Sequence, residues 1–167
     1  NVAALRSIVP RAGASLARVV IAATAIFQHR LTGARDLVVS VPVSARDEVS
    51  HRIPGMVSNV LSLRLAIGAS AKVFDVIAQT TEHLRRGLKH QNYQIADLRR
   101  DLGGLDQQQG LAGLSINVMP FRYDFSFAGN RSVAHNLSLG PVEDLSISVY
   151  EHADGGPVRI DFDGNPE

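Results

Sequence analysis

The spacing of apolar residues changes along the chain, and this change limits the folds that the chain can adopt. Up to about residue 100, segments with helical spacing alternate with short β-branched runs, whereas strand-like alternation dominates after residue 113. Helices that alternate with strands and then give way to a late antiparallel run are accommodated by a mixed sheet with helices packed on it. The sequence therefore predicts one α/β domain over residues 1–167, with a mixed β-sheet flanked by helices.

Three segments are predicted to be helices. Ser15 is a favoured N-cap and Gly33 a favoured stop, and the segment between them is apolar on almost every side, which predicts a buried helix. A second helix is predicted over residues 73–88, where apolar residues form one stripe and Ser70 is the expected N-cap. A shorter helix is predicted around residues 95–100, before a Gly-Gly pair.

The β-branched and alternating runs predict five strands. The run Leu37–Val41 predicts a central strand that ends at Pro42. A loop is expected over residues 44–55, followed by a second strand within residues 56–65. Three further strands are expected at 114–119, 145–150 and 158–162, the last two joined by a hairpin at Asp154-Gly155-Gly156.

Composition and charge argue against several classes of function. The net charge is +1, which gives no indication of a nucleic-acid or membrane-surface partner. The longest uncharged apolar run, residues 19–27, is far shorter than the ~20 residues of a membrane span. The chain has no cysteine, in keeping with a cytoplasmic location. It has neither an initiator methionine nor a secretory pattern, and we expect truncation at both ends.

The six histidines do not form a recognisable metal site. His83 and His90 lie on one predicted helix face, but two turns of helix separate them by on the order of 10 Å, too far to share an ion. The other histidines lack a ligand at zinc spacing. Neither a phosphate-binding loop nor a nucleophile elbow is present. Spacing alone therefore predicts no bound metal and no catalytic group.

A short basic cluster lies near the end of the second predicted helix. It consists of Arg85, Arg86 and Lys89, with Glu82 placed to pair across one turn. The pattern is typical of a solvated helix face. A docking surface for an acidic protein is the alternative, and the sequence leaves it open.

Three short motifs carry a resemblance to a known family. Residues 30–46 run from Leu-Thr-Gly-Ala-Arg-Asp to Pro-Val-Ser-Ala-Arg, residues 53–64 read Ile-Pro-Gly-Met-Val-Ser-Asn-Val-Leu-Ser-Leu-Arg, and residues 90–93 read His-Gln-Asn-Tyr. In this order and at these intervals they resemble the LTGxxD–PVxxR, GxFVNTxxxR and HQDxPF motifs of condensation domains from nonribosomal peptide synthetases. Together they cover most of the chain.

The resemblance implies a fold and an activity. Such domains consist of two chloramphenicol-acetyltransferase-like halves that form a V with a tunnel between them. Two carrier-protein phosphopantetheine arms enter the tunnel, and an acceptor amine attacks the donor thioester. The HHxxxDG motif of the first half is absent from this sequence. Residues 1–167 are therefore expected to form the C-terminal subdomain, without catalytic residues and inactive alone.

The resemblance also assigns residues and partners. Asn59 is expected either to orient a thioester or amine in the tunnel, beside Ser58, or to hold a strand end. The expected scaffold residues are Gly55, Arg46, Arg64, His90 and Gln91. No cofactor is expected to bind directly, and the phosphopantetheine arm acts as substrate carrier. The expected partners are the N-terminal half, the donor and acceptor carrier proteins and an adenylation domain, with a dimer possible for the isolated fragment.

Departures from the motifs leave alternatives open. Asn92, Gln94 and Ile95 replace the usual aspartate, proline and phenylalanine, a pattern closer to siderophore-type synthetases with an aryl-capped donor. A noncatalytic scaffold or carrier-protein-binding domain, or an acyltransferase that uses acyl-CoA, would show the same fold, and fold alone does not choose among them.

Overall fold

The computed structural model describes residues 2–46, 48, 50–103, 113–119, 126–132, 142–151 and 158–165. In these ranges helices and strands alternate first, and strands follow. The helices are α1 (Val2–Ala12), α2 (Leu16–Thr32), α3 (Val73–Leu88) and α4 (Ile95–Asp101), with a short 3-10 turn at Ser50–Arg52. The strands are β1 (Asp36–Val43), β2 (Asn59–Ala66), β3 (Leu114–Met119), β4 (Ser126–Phe127), β5 (Asn130–Arg131), β6 (Leu145–Glu151) and β7 (Val158–Gly164).

Five of these strands form one mixed sheet in the order β2-β1-β3-β6-β7, and β4 pairs with β5 separately. The pairs β1–β2 and β6–β7 are antiparallel, whereas β1–β3 and β3–β6 are parallel. The predicted mixed sheet is confirmed. The expected antiparallel run is wrong for β3 and β6, because the chain between them is long enough for a crossover to a parallel neighbour. The predicted hairpin at residues 154–156 lies outside the described residues.

One face of the sheet forms the hydrophobic core with α2 and α3. Alternate residues of the inner strands point to this face and are almost fully buried, as the period of two requires. Ile21 of α2 and Ile77 of α3 pack against them, each about 1% exposed. The sheet residues at the centre of this core are Val39, Leu63, Leu65, Ile116 and Val149.

Strand β1 continues through Pro42 to Val43, so the predicted end at Pro42 is wrong. The N–H of Ile67 donates to the carbonyl of Arg35 at 2.8 Å, which makes this opposed pair a hydrogen-bonded one. The ladder alternates, so the even-numbered residues of β1 turn their backbone groups away from β2. Pro42 also lies beyond Val39 and Ser40, where β1 pairs with β3. Its missing N–H therefore removes no hydrogen bond from the β1–β2 ladder, and the pairing of β1 with β3 does not extend to it.

Helix α2 begins and ends where the sequence predicts. The Ser15 hydroxyl accepts the N–H of Arg18 at 3.5 Å, and Gly33, with φ +73°, donates its N–H to the carbonyl of His29 at 2.8 Å. The prediction of a buried helix holds for the side that lies on the sheet, where seven residues are buried, whereas Phe27 is 53% exposed.

The start of α3 differs from the prediction. The cap is Lys72 rather than Ser70, because the carboxylate of Asp75 accepts the N–H of Lys72 at 3.1 Å and closes the first turn. Helix α1 was not predicted, since Pro10 lies inside it and proline usually marks a helix end. It packs on α3 through Arg11, whose guanidinium lies 5.4 Å from the ring centre of Phe74. Among the described residues no single helix has the length and hydropathy of a membrane span, and α1 and α2 pass only when joined across a 106° bend.

The left-handed end of α2 gives a first stability prediction. Gly33→Ala is expected to lower the free energy of unfolding by about 1 kcal/mol, because a Cβ is disfavoured at positive φ. A Cβ at Gly68 would meet no atom within 4 Å, and that residue lies outside the left-handed region. Gly68→Ala is therefore the matched control and should be neutral or slightly stabilising in urea unfolding. Equal destabilisation by both variants would contradict the prediction.

Candidate functional site

Asn59, the first residue of β2, is the centre of a buried hydrogen-bond network. Its side chain is enclosed, and the residue is 5% exposed. Nδ2 donates to the carbonyls of Gln91 at 2.8 Å and Tyr93 at 2.6 Å, while Oδ1 accepts the N–H of Ile95 at 3.2 Å. Two carbonyls on one side and one N–H on the other fix the orientation of the amide. Asn59 thereby ties β2 to the segment between α3 and α4.

Gln91 extends this network to the loop after β1. Its Nε2 donates to the carbonyl of Arg46 at 3.5 Å, a long contact that nonetheless brings residues 45 positions apart together. His90 lies one residue earlier, in the turn that closes α3, where its N–H donates to the carbonyl of Gly87 at 2.9 Å. Tyr93 is also held by its hydroxyl, which donates to Asp101, and this bond raises the pKa of Tyr93. The α3–α4 junction is therefore fixed from two sides.

Arg46 organises the loop between β1 and β2. Its guanidinium donates to the carbonyls of Ser50 at 2.6 Å and Ile53 at 3.0 Å, and also to that of Gly55. Two unusual backbone angles shape this loop: Ala45 has φ +46° and Gly55 has φ +152°. A left-handed non-glycine residue is costly and persists only where its surroundings fix it. The Arg46 contacts supply that constraint.

The structure therefore brings five of the sequence-predicted residues together. Arg46, Gly55, Asn59 and Gln91 are linked through the loop and the α3–α4 junction, and the exposed Ser58 precedes Asn59 directly. Both N–H groups of Asn59 are used by backbone carbonyls, so the network gives this residue a clear scaffold role. Its role toward a substrate stays a prediction.

Arg64 lies toward the other end of β2 and does not join this network. Its Nη2 lies 2.6 Å from Oδ2 of Asp36, and its Nε contacts the same carboxylate, while the two side chains are 77% and 53% exposed. The hydrogen bond with Arg64, more than its charge, lowers the pKa of Asp36. A pair exposed to this extent stabilises the fold only slightly.

The lowered pKa of Asp36 predicts a pH-dependent contribution to stability. Because the folded carboxyl titrates below its ordinary value of 3.8, the contribution is complete above that pH and is lost as the pH falls through the folded value. We expect the unfolding midpoints of the wild type and Asp36→Asn to differ by a constant amount between about pH 5 and 7 and to converge in more acidic buffer. A difference that does not change with pH would count against the pair.

The sheet face opposite α2 and α3 is polar. The strands β2, β1, β3 and β6 each contribute one serine, and these serines lie directly opposite one another in a single row. The row ends at a carboxylate on β7. The row is Ser62, Ser40, Ser115, Ser146 and Asp163. A cavity of about 340 Å³ lies on this face, and its lining includes Ser40, Ser115, Asn117, Ser146 and Ser148. This row is not predicted from the sequence, although serine at alternate strand positions is a visible signal for it.

The rim of this cavity is formed partly by α4. Ile95 and Arg99 line it, and Arg99 lies 3.8 Å from the carboxylate of Glu143. The Nε of Arg99 and Oδ2 of Asp163 are buried without a hydrogen-bond partner in the described structure. Small hydroxyl side chains on the floor and an arginine at the rim can donate hydrogen bonds to a carbonyl-rich chain. In the described part of the chain, no three metal-binding side chains meet.

Comparisons with known proteins point to one family. The family profile of the condensation domain matches residues 1–165. The isonitrile lipopeptide synthase of Streptomyces coeruleorubidus is 43% identical over 164 residues, which are 98% of this chain and 11% of that synthase. The dimodular nonribosomal peptide synthase of Bacillus subtilis is 44% identical over 150 residues, 89% of this chain and 6% of that protein.

A solved structure gives the same result at the level of the fold. The first condensation domain of the calcium-dependent antibiotic synthetase, in complex with a substrate analogue, superposes with a TM-score of 0.84 at 42% identity. The match covers 97% of this chain and 36% of that chain. The chain thus spans about a third of the solved domain and a much smaller part of the two synthases.

Proposed function

The chain belongs to the condensation-domain family, and from this premise we propose that it is the C-terminal half of a condensation domain in a nonribosomal peptide synthetase. The complete domain joins two carrier-bound substrates. The acceptor amine attacks the donor thioester carbonyl, a C–N bond forms, the C–S bond breaks, and the donor phosphopantetheine leaves as a thiol after the amine has lost its proton. The fold predicted from the motifs, a mixed sheet flanked by helices of the chloramphenicol-acetyltransferase-like type, agrees with the solved condensation domain.

The polar sheet face is the observation that carries this proposal. The opposite face is covered by α2 and α3, which pack on it to form the hydrophobic core. The serine row and its cavity face away from these helices, which suits a wall of the tunnel between two halves. Hydroxyls of Ser40, Ser115 and Ser146 can donate to amide and thioester carbonyls of a phosphopantetheine arm, which is the substrate carrier rather than a bound cofactor.

This half positions substrates and does not supply the base. The sequence has no HHxxxDG motif, and the network around Asn59 uses its polar groups to hold backbone. The proton of the amine is then taken by the partner half, and the fragment alone is inactive. Ser58 borders the tunnel, while the enclosed Asn59 beside it holds the α3–α4 junction, and the Arg46, Gly55 and Gln91 contacts fix the loop that carries both residues.

The loop before Asn59 has exposed apolar side chains, which indicate that a partner covers it. Ile53 and Met56 are 56% and 94% exposed, and the neighbouring Val57 is exposed as well. Adjacent exposed apolar side chains are typical of a surface that another protein element covers. We assign this surface to the N-terminal half of the domain; the isolated chain would then associate through it as a dimer. Donor and acceptor carrier proteins and an adenylation domain complete the cytoplasmic assembly.

The test is a double substitution in the row, made in the parent synthetase. Ser115→Ala with Ser146→Ala removes two donors at nearly constant volume and is expected to lower kcat/KM for carrier-bound substrates about tenfold. Ser70→Ala, in the exposed turn between β2 and α3, is the control and should leave the rate unchanged. A double variant with the wild-type kcat/KM would contradict the assignment of this face to the tunnel.

A further inference from the structure

Strand β2 lies at the edge of the described sheet, so one side of its backbone faces away from the other strands. The hydrogen-bonded pair formed by Ile67 and Arg35 sets the alternation of the β1–β2 ladder. Odd-numbered residues of β2 therefore bond to β1, and the even-numbered residues Val60, Ser62 and Arg64 point their N–H and C=O groups away from the sheet. Such an edge is a template for a further strand.

A groove of about 630 Å³ follows this edge between β2 and α3. Helix α3 forms its wall through Gln79, His83 and Arg86, and His90 in the turn after the helix continues it. The floor is apolar and close to the helix: a Cβ at Gly87 would lie 3.3 Å from a methyl of Leu61. The groove therefore runs along the strand, and its floor packs closely against the helix.

The edge is partly covered by the protein itself. Nδ1 of His83 lies 2.7 Å from the carbonyl of Arg64 and occupies one outward acceptor. The hydroxyl of Ser62 and Oε1 of Gln79 are buried and without a hydrogen-bond partner in the described structure. These polar atoms without a hydrogen-bond partner lie beside the outward backbone groups of Val60 and Ser62, and they indicate that the groove accepts a polar backbone.

At the groove, positive charge exceeds negative charge. Arg64 is neutralised by Asp36, and Arg85 by Glu82 at 2.8 Å. The pKa of Glu82 is lowered mainly by its hydrogen bond with Arg85 and further by the nearby charges of Arg86 and Lys89. Arg86 lines the groove. A carboxylate on an incoming segment would therefore be favoured on the α3 side.

From these observations we propose that the outer edge of β2 binds an acidic, extended segment of a partner protein as an added strand. The backbone of that segment pairs with Val60 and Ser62, and its carboxylate side chain faces Arg86. Main-chain hydrogen bonds supply affinity, and the groove selects alternate side chains. This interface meets the polar sheet face at Val60 and Ser62 and does not depend on the condensation chemistry.

A labelled peptide tests the proposal on the intact synthetase. The probe is acetyl-Val-Thr-Glu-Thr-Val-amide, whose glutamate and valines share one face, and binding is followed by fluorescence anisotropy. Saturable binding is expected, at least several-fold weaker when lysine replaces the glutamate. Arg86→Gln should weaken binding by about three- to tenfold, whereas Arg85→Gln, whose side chain does not line the groove, should change it by less than about twofold.

Backbone methylation shows whether the peptide binds as a strand. Methyl groups on one set of alternate peptide nitrogens should abolish binding, and methyl groups on the other set should be tolerated, because only one edge of an added strand faces β2. In the protein, Ser62→Pro removes one outward N–H and leaves the β1 ladder intact. No saturable binding, equal binding of both methylated peptides, or equal binding of the lysine peptide would overturn the proposal. The methylated peptides decide the outcome even if Ser62→Pro does not fold.

Discussion

Asn59→Asp is expected to lower the free energy of unfolding by roughly 3 kcal/mol, although aspartate has nearly the same shape. The substitution removes both donors to the carbonyls of Gln91 and Tyr93 and turns a carboxylate toward those two oxygens. Only the bond from the N–H of Ile95 survives. Because the site is buried, the freed carbonyls cannot turn to water, and the loss of each contact is felt in full.

Urea unfolding and the condensation rate together separate the two roles of Asn59. Ser58→Ala, at the exposed neighbouring residue, is the control and should change the stability by less than about 0.5 kcal/mol. If the rate per folded molecule of Asn59→Asp equals that of the wild type, Asn59 acts only as scaffold. A rate that falls further than the folded fraction supports the tunnel role. An Asn59→Asp protein as stable as the wild type would contradict the network described above.

Arg46→Met is expected to release the loop at residues 50–55 and to speed tryptic cleavage after Arg52 by about tenfold or more. The reason is that three carbonyls lose a charged donor, and each such hydrogen bond contributes on the order of 1.5 kcal/mol. The methionine side chain has no N–H group that could replace these hydrogen bonds. The left-handed Ala45 therefore loses the contacts that offset its strain. The rate of cleavage reports the population of the open loop.

The matched control for this experiment is Arg64→Met. Arg64 makes a two-point contact with Asp36, but both side chains are exposed, and the loss of stability should be slight. Cleavage after Arg52 should keep its wild-type rate in this control. If both variants speed the cleavage equally, the effect arises from general destabilisation, and Arg46 has no special place in the loop.

The elements that the sequence predicts well are those with a local signal. Ser15 and Gly33 bracket α2 because capping and left-handed termination depend on single residues. The strand at residues 114–119 is predicted to the residue, since its alternation is regular and its ends are marked. The helix over residues 73–88 also matches, but its cap does not. The carboxylate of Asp75 accepts the N–H of Lys72 and makes Lys72 the cap instead of Ser70, a choice between near neighbours that depends on this contact.

Other features depend on contacts between distant residues, and spacing rules cannot supply them. Asn59 and Gln91 meet because β2 and the end of α3 lie side by side, 32 residues apart in the chain. Ala45 adopts a left-handed conformation that its residue type does not announce, since Arg46 and the following loop impose it. The serine row follows from the register of five strands. Each serine is visible in the sequence, but their alignment is not.

The assignment of this chain as a positioning half is tested most directly by a condensation assay on two proteins. One is the parent synthetase with its carrier-bound substrates, and the other is the 167-residue chain alone with the same substrates. We predict amide formation by the parent and none by the chain. Amide formation by the chain alone would contradict the account, and a parent that is inactive on carrier-bound thioesters would favour a scaffold or, if it uses acyl-CoA, an acyltransferase.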